Sequence, residues 1–227
     1  MAAITYKNTW DATGNRYYHT GISRGMIYLM EANGTYGTGA PWDGLTGWDE
    51  NPDGAEINTL WADNIKYAQF QTPEDHKGNI KAYDYPDEFS ECNGKKSPSD
   101  LDGMSFGEQP RRAFGACYRT EIGTDTDPKK GYIIHIVYNC RCKPSSISHA
   151  TKNENPDAVE MSWDYECTPV SVTTVTGVEQ TSTIELDSTI LTEKQIQAAE
   201  KLLYGFEQTD ATLPTPDALY AAIKAAV

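Results

Sequence analysis

The sequence predicts a mainly β chain of the α+β class, with its helices gathered at the C-terminal end. Three observations carry this expectation. Runs of alternating apolar and polar residues recur between turn-rich stretches. Tyr is frequent at 14 copies with 5 Trp, and aromatic side chains favour pleated, half-buried surfaces. Helical periodicity with capping residues appears only beyond residue 190.

The clearest strand runs from Ala158 to Cys167. Val159, Met161, Trp163, Tyr165 and Cys167 fall on one side, and Glu160, Ser162, Asp164 and Glu166 on the other, so one face meets a core and one meets water. Glu56 to Tyr67 alternates in a similar way, with Ile57, Trp61, Ile65 and Tyr67 together. Tyr132 to Tyr138 is apolar on both faces, as for a central strand or one covered by a neighbouring subunit. Arg112–Ile122 and Thr181–Asp187 are further strand candidates. Asn33 to Pro41 holds three glycines and a proline and reads as an extended surface loop.

The first helix follows Thr192, which forms a capping box with Gln195, and Leu191 can staple onto Ile196. Gly205 supplies its terminating residue. Ile196, Ala199, Leu202 and Leu203 make a narrow apolar stripe. The second helix opens at Thr215-Pro-Asp217, combining a cap, a proline in the first turn and an acid at the positive dipole end. Its face, Leu219 and Ile223, suits either its own domain or a neighbour.

At 227 residues the chain is long enough for one large domain. Its net charge of −14, from 19 basic and 33 acidic residues, argues against a groove that grips phosphates, because that affinity comes from Lys and Arg displacing counterions. No apolar window reaches the ~18 residues of a membrane span, and Met1 to Trp10 has no apolar leader core. The expectation is a cytosolically made protein without a membrane partner. Its five cysteines, Cys92, Cys117, Cys140, Cys142 and Cys167, are then reduced by default.

Catalytic patterns are weak. Gly21-Ile-Ser-Arg-Gly25 matches a nucleophile-elbow pattern, yet the strand-like Met26–Met30 follows where a helix is needed, so Gly21 and Gly25 read as turn residues. Cys140-Arg-Cys142 puts two thiols on one face, with Cys167 a possible neighbour, but lacks the partner pair of a zinc site. Asp125-Thr-Asp127 is followed by lysines where a calcium loop needs other groups. Asn33-Gly-Thr35 reads as a turn. His135 within an apolar strand reads as a satisfied core residue. The chain is expected not to be an enzyme and to need no cofactor or metal.

Several segments, in order along the chain, resemble the major tail proteins of siphophages that infect Gram-positive bacteria. They include Tyr6-Lys-Asn-Thr-Trp-Asp-Ala-Thr-Gly14, Trp42-Asp-Gly-Leu-Thr46, Glu50-Asn-Pro-Asp-Gly-Ala-Glu56 and Trp61-Ala-Asp-Asn-Ile-Lys-Tyr67. Ala82-Tyr-Asp-Tyr-Pro-Asp-Glu-Phe89, Phe114-Gly-Ala-Cys-Tyr-Arg-Thr120 and Ser162-Trp-Asp-Tyr-Glu-Cys-Thr-Pro169 extend the match over nearly the whole sequence. The resemblance implies a single tail-tube domain over residues 1–227: a β-sandwich with a flanking helix and a C-terminal helix. An N-terminal arm (1–14), an extended loop (31–53) and a C-terminal arm or helix (206–227) would complete it. It further implies six-subunit rings stacked into a tube that passes DNA transiently, in a virion tail assembled in the host cytoplasm. Partners would be other copies, a tape measure protein, a tail terminator and distal tail or baseplate proteins. The family has no catalytic or cofactor residues to carry over.

Within this frame, Glu160, Asp164 and Glu166 are the candidate lumen-facing acids, chosen for their clean alternation and carboxylate excess. Asn33, Tyr36, Pro41 and Trp42, in the glycine-rich stretch, are the candidate contact between rings. A carbohydrate-binding β-sandwich module is the alternative, since Trp and Tyr on an acidic scaffold can stack on sugar rings. It predicts an exposed aromatic row on a monomer.

Overall fold

The computed structural model describes residues 10–101, 103–149, 151 and 158–226. Fourteen strands and three helices follow one another among them. The strands are β1 (Tyr17–Leu29), β2 (Ala40–Trp42), β3 (Leu45–Glu50), β4 (Asp53–Gly54), β5 (Ile57–Ala62), β6 (Ile65–Gln71), β7 (Glu74–Asp75) and β8 (Lys77–Ala82). After α1 (Phe89–Cys92) come β9 (Phe114–Thr124), β10 (Gly131–Cys142), β11 (Met161–Cys167), β12 (Val170–Ser171), β13 (Gln180–Thr181) and β14 (Thr183–Asp187). Two helices, α2 (Glu193–Tyr204) and α3 (Pro216–Ala225), close the chain. The mainly β expectation holds.

The large sheet is antiparallel, in the order β2-β1-β9-β10-β11-β8-β3, with β14 also on β10. β10 forks it. Ile133–Val137 pair with β14, whereas Cys140–Cys142 pair with β11. Asn139, at φ 49°, stands between the two sets, where the register against β9 also shifts. The β11-β8-β3 branch folds back over the other branch. Trp48 of β3 stacks on Tyr118 of β9 with ring centroids 4.7 Å apart, and the Tyr118 hydroxyl donates to Glu50.

Between the branches lies an aromatic core. Trp163 makes edge contacts with Trp42, Tyr85 and Phe89, and Ile27, Ile80, Phe114 and Val137 fill in around them. A second core sits behind β1, β9, β10 and β14, where Tyr28, Ile134, Ile136, Tyr138 and Leu186 meet Ile196, Ala199, Leu203 and Leu219 of the helices. β10 therefore buries both faces, as its sequence predicts, and its second face is covered by helices of its own chain.

The helix signals work as read. Thr192 and Gln195 form the capping box of α2, Gly205 follows it at positive φ, and Thr215 accepts from the Ala218 N–H at the start of α3. The terminal segment is not a free arm. Leu213 and Leu219 are buried, the Thr212 N–H bonds to the Leu202 carbonyl, and the Gly39 N–H bonds to the Ala211 carbonyl. Asp217 accepts from the N–H and hydroxyl groups of both Thr173 and Thr174. These bonds hold its carboxyl well below the usual carboxylate range. At the other end, Gly14 donates to Asp125; residues 1–9 of the expected N-terminal arm lie outside the described residues.

Three local expectations are corrected. Residues 31–53 are not an extended loop: β2 pairs with β1, β3 pairs with β8, and tertiary burial overrides the glycine-rich context. Gly21 and Gly25 lie inside β1 rather than in a turn, at register shifts against β9, and Ser23 is a strand residue opposite Arg119 with no helix after it. Cys140 and Cys167 are not free thiols. They face each other across β10 and β11, Cα atoms 4.0 Å apart, and are joined in a disulfide. Cys92, Cys117 and Cys142 are free and buried. Burial pushes the Cys92 and Cys117 thiols up to about 12.

Candidate assembly surface

The alternation between Glu56 and Tyr67 belongs to two strands, not one. Asp63 and Asn64 have φ of 51° and 61°, the left-handed pair of a two-residue hairpin turn, and join β5 to β6. This hairpin is the far end of a much longer one. From Gly47 opposite Lys81, through Asp53 opposite Asp75, to Leu60 opposite Ala68, each step forward on one strand is matched by one step back on the other. β3, β4 and β5 are thus one arm, and β6, β7 and β8 the other. The proximal part lies in the sheet, and the distal part leaves the body. Thirteen residue steps lead from Glu50 to the tip at Asp63, a reach of up to about 40 Å at ~3.3 Å per residue.

An elbow marks the middle. Gly54 and Ala55 have φ of 92° and 53°. A Cβ on Gly54 would lie 2.4 Å from the Pro73 carbonyl oxygen, so only glycine fits there. The Ala55 N–H bonds to that same carbonyl, while the Glu56 N–H bonds to the Thr72 hydroxyl.

Beyond the elbow every large apolar side chain is uncovered. Asn58, Leu60 and Ala62 share one face of β5, and their cross-strand partners Phe70, Ala68 and Ile65 extend it. Leu60 and Phe70 are each 52% exposed and Ile65 is 61% exposed. On the opposite face Ile57, Trp61 and Tyr67 are 65–70% exposed. Among the partners there, Gln69 donates to the Thr59 hydroxyl, and the Lys66 ammonium stands 6.0 Å from the Trp61 ring centre. A lone two-stranded hairpin is marginal in water. Large apolar groups left exposed on such an element mark a surface that other protein covers. The sequence signal was present in Asp63-Asn64, an αL-tolerant pair between strand-forming runs, but the turn has no glycine to announce it.

The predicted ring-contact residues are not brought together as a surface. Trp42 is a core residue whose indole N–H donates to the Asp84 carbonyl. The Tyr36 hydroxyl accepts from the Asn139 N–H at 2.9 Å. Pro41 is an exposed residue within β2, and Asn33 folds back to accept from Thr35 in a turn.

The three candidate acids do share the outward side of β11 and its approach. Glu160 precedes the strand and accepts from Thr46, Asp164 accepts from Asn79, and Glu166 pairs with Lys143 at 2.8 Å. The Lys143 ammonium beside Glu166 holds that carboxyl below its ordinary value. Neighbouring strands add Asp49 paired with Lys81 and Asp53 paired with Lys77. With the Arg141 guanidinium opposite Glu166, the face therefore carries five carboxylates against four cations: it remains negative, but only slightly, and far less so than β11 alone suggests.

No family model and no curated protein matches the sequence. Among solved structures, a chain from an extracellular contractile injection system, the PVC sheath–tube complex in its extended state, is similar at a TM-score of 0.28 and 8% identity. The match covers 72% of this chain and 88% of that one. A likeness this distant carries no argument about either fold family or function.

Proposed function

We propose that the chain is a structural subunit of a phage tail tube. Copies close into hexameric rings, the rings stack, and the negatively charged channel passes DNA during ejection. The observation that carries this reading is the projecting hairpin, whose six large apolar side chains are more than half exposed and find no further cover among the described residues, as expected of a surface that another subunit covers. The ordered sequence resemblance along nearly the whole chain supports it. So does the charge of −14, which favours sliding over binding of DNA. Head-to-tail contacts of this kind generate closed rings or filaments, depending on the rotation between copies.

In this reading the chain is not an enzyme and needs no cofactor. The outward side of β11, with Glu160, Asp164 and Glu166, lines the channel, and the hairpin takes over the ring-to-ring role expected of residues 31–53. Tape measure, terminator and distal tail proteins meet the two ends of the tube. A carbohydrate-binding module would present its aromatic rings as one platform. Trp61 and Tyr67 do share one face of the hairpin, but Phe70 lies on the other, and a protein contact that covers both faces accounts for more of the exposed apolar groups than a single sugar platform does.

Electron microscopy of the concentrated protein, alone and with tail-initiation partners, tests the proposal. Hollow rods of stacked rings are expected. Monomers under both conditions would overturn it.

A further inference from the structure

Copies that each carry −14 repel one another, so a stable contact between them needs patches of opposite sign to face each other. One such patch is built into the body. Lys95, Lys96, Arg111 and Arg112 line a groove of about 510 Å³, and Arg111, Arg112 and Arg141 line an adjoining one of about 460 Å³. Five of the chain's 19 basic residues thus meet on one continuous surface. Arg112 is neutralised by Glu31 and Glu91 at 2.8 and 2.9 Å. The other four have no carboxylate within ion-pair distance among the described residues.

Three of the four are positioned by uncharged groups. The Arg111 guanidinium donates to the Cys92 carbonyl at 3.2 Å and to Asn93, Arg141 donates to the Arg111 carbonyl at 3.2 Å, and Lys95 donates to the Tyr85 hydroxyl at 3.0 Å. Lys95, Arg111 and Arg141 are thus held in place with their charge unspent, which lowers the cost of receiving an anion, and Lys96 adds an exposed cation beside them.

The complementary surface is the projecting hairpin. Residues 51–76 contain Asp53, Glu56, Asp63, Glu74 and Asp75 against the single cation Lys66. Of these acids only Asp53 has an ion pair, with Lys77, among the described residues. Glu56, Glu74 and Asp75 sit at the elbow and are exposed. We infer that the twin basic grooves around Arg111 receive the acidic elbow of the hairpin from a second copy of this chain, setting its register while the apolar faces beyond the elbow supply most of the burial. This rests on the chain being a self-assembling subunit. Nucleic acid is the competing anion, and the chain's overall charge disfavours it.

The test uses the full chain and two charge-reversed variants, Lys96→Glu/Arg141→Glu and Glu56→Lys/Glu74→Lys. All four side chains are exposed, so folding is expected to survive, and circular dichroism checks this. Should either pair misfold, Arg141→Glu and Glu74→Lys alone serve the same comparison. Self-association is measured by sedimentation velocity over a concentration series at low and high salt. Wild-type association should weaken as salt rises, and each variant alone should associate about tenfold more weakly or worse. An equimolar mixture of the two variants should recover it, because each then offers the surface that the other lacks.

Unchanged association of the variants, failure of the mixture to recover, or a wild type that stays monomeric at low salt overturns the contact. Binding of a labelled single-stranded oligonucleotide that is lost in Lys96→Glu/Arg141→Glu, with self-association intact, overturns it in favour of nucleic acid. Recovery by the mixture without hollow rods upholds the contact and removes the tube reading instead.

Discussion

Replacing Leu60, Ile65 and Phe70 together by Ser strips one face of the projecting hairpin. Each side chain keeps between 52% and 61% of its surface exposed in the single chain. Full burial of such a group is worth about 1.5–3 kcal/mol, so covering the remaining half yields about 1 kcal/mol each, or about 3 kcal/mol per docked hairpin. That weakens a single contact by about two orders of magnitude. The body should be indifferent, because no residue of β5 or β6 is buried. Stability by urea denaturation should stay within about 0.5 kcal/mol of wild type. The assay is the threshold concentration for polymerisation, read by light scattering and checked by electron microscopy. An unchanged threshold in a folded variant would refute the reasoning. A large loss of body stability would do so as well, by showing that this face is already used within the chain.

Four other outcomes follow from packing and charge. Leu219→Ala, at a position 1% exposed on the inner face of α3, should cost about 2–5 kcal/mol in denaturant unfolding, in contrast to the hairpin substitutions. Gly78→Ala should destabilise the chain strongly and release the base of the hairpin to proteolysis, since its Cβ would fall 2.2 Å from the Asp49 carbonyl oxygen and 2.4 Å from the Tyr165 hydroxyl. Asp217→Asn should reduce stability at neutral pH. Because the native carboxyl titrates below its unfolded value of about 3.8, the gap to wild type should be constant above about pH 5 and close as acid protonates it, measured by thermal melts across pH. Burial lowers the His135 pKa below 6.5, even with Glu50 and Glu185 nearby, so wild type should lose stability as pH falls below about 6.5. His135→Gln should flatten that part of the profile.

Much of this architecture is legible locally. The Thr192–Gln195 box, the Thr215-Pro216 start and the inward set Trp163, Tyr165 and Cys167 are each decided by residues within a few positions of one another, and all three hold. What local patterns miss depends on partners far along the chain. Trp42 sits among glycines and a proline, and only its packing on Phe89 and Trp163 makes it core. The carboxylates of β11 look like an acidic stripe until Lys77, Lys81 and Lys143 arrive from other segments. Cys140 and Cys167 are 27 residues apart in sequence and meet only because β10 and β11 pair. The hairpin escapes for a different reason: alternation does not say where a strand reverses, and an Asp-Asn turn is a quieter marker than Asn-Gly.

The register kept from Gly47 to Leu60 along the long hairpin has a mechanical consequence. One of its arms continues as β8, which is bonded on both sides, to β3 and to β11. Tension applied at the tip along the strands therefore runs into a strand bonded on both sides, where many transverse hydrogen bonds share the load and must slide together before any one lets go. Pulled across the strands instead, the edge strand β3 would unzip from β8 bond by bond. Seated in a neighbour, the hairpin becomes a tie-rod anchored in the sheet of its own subunit.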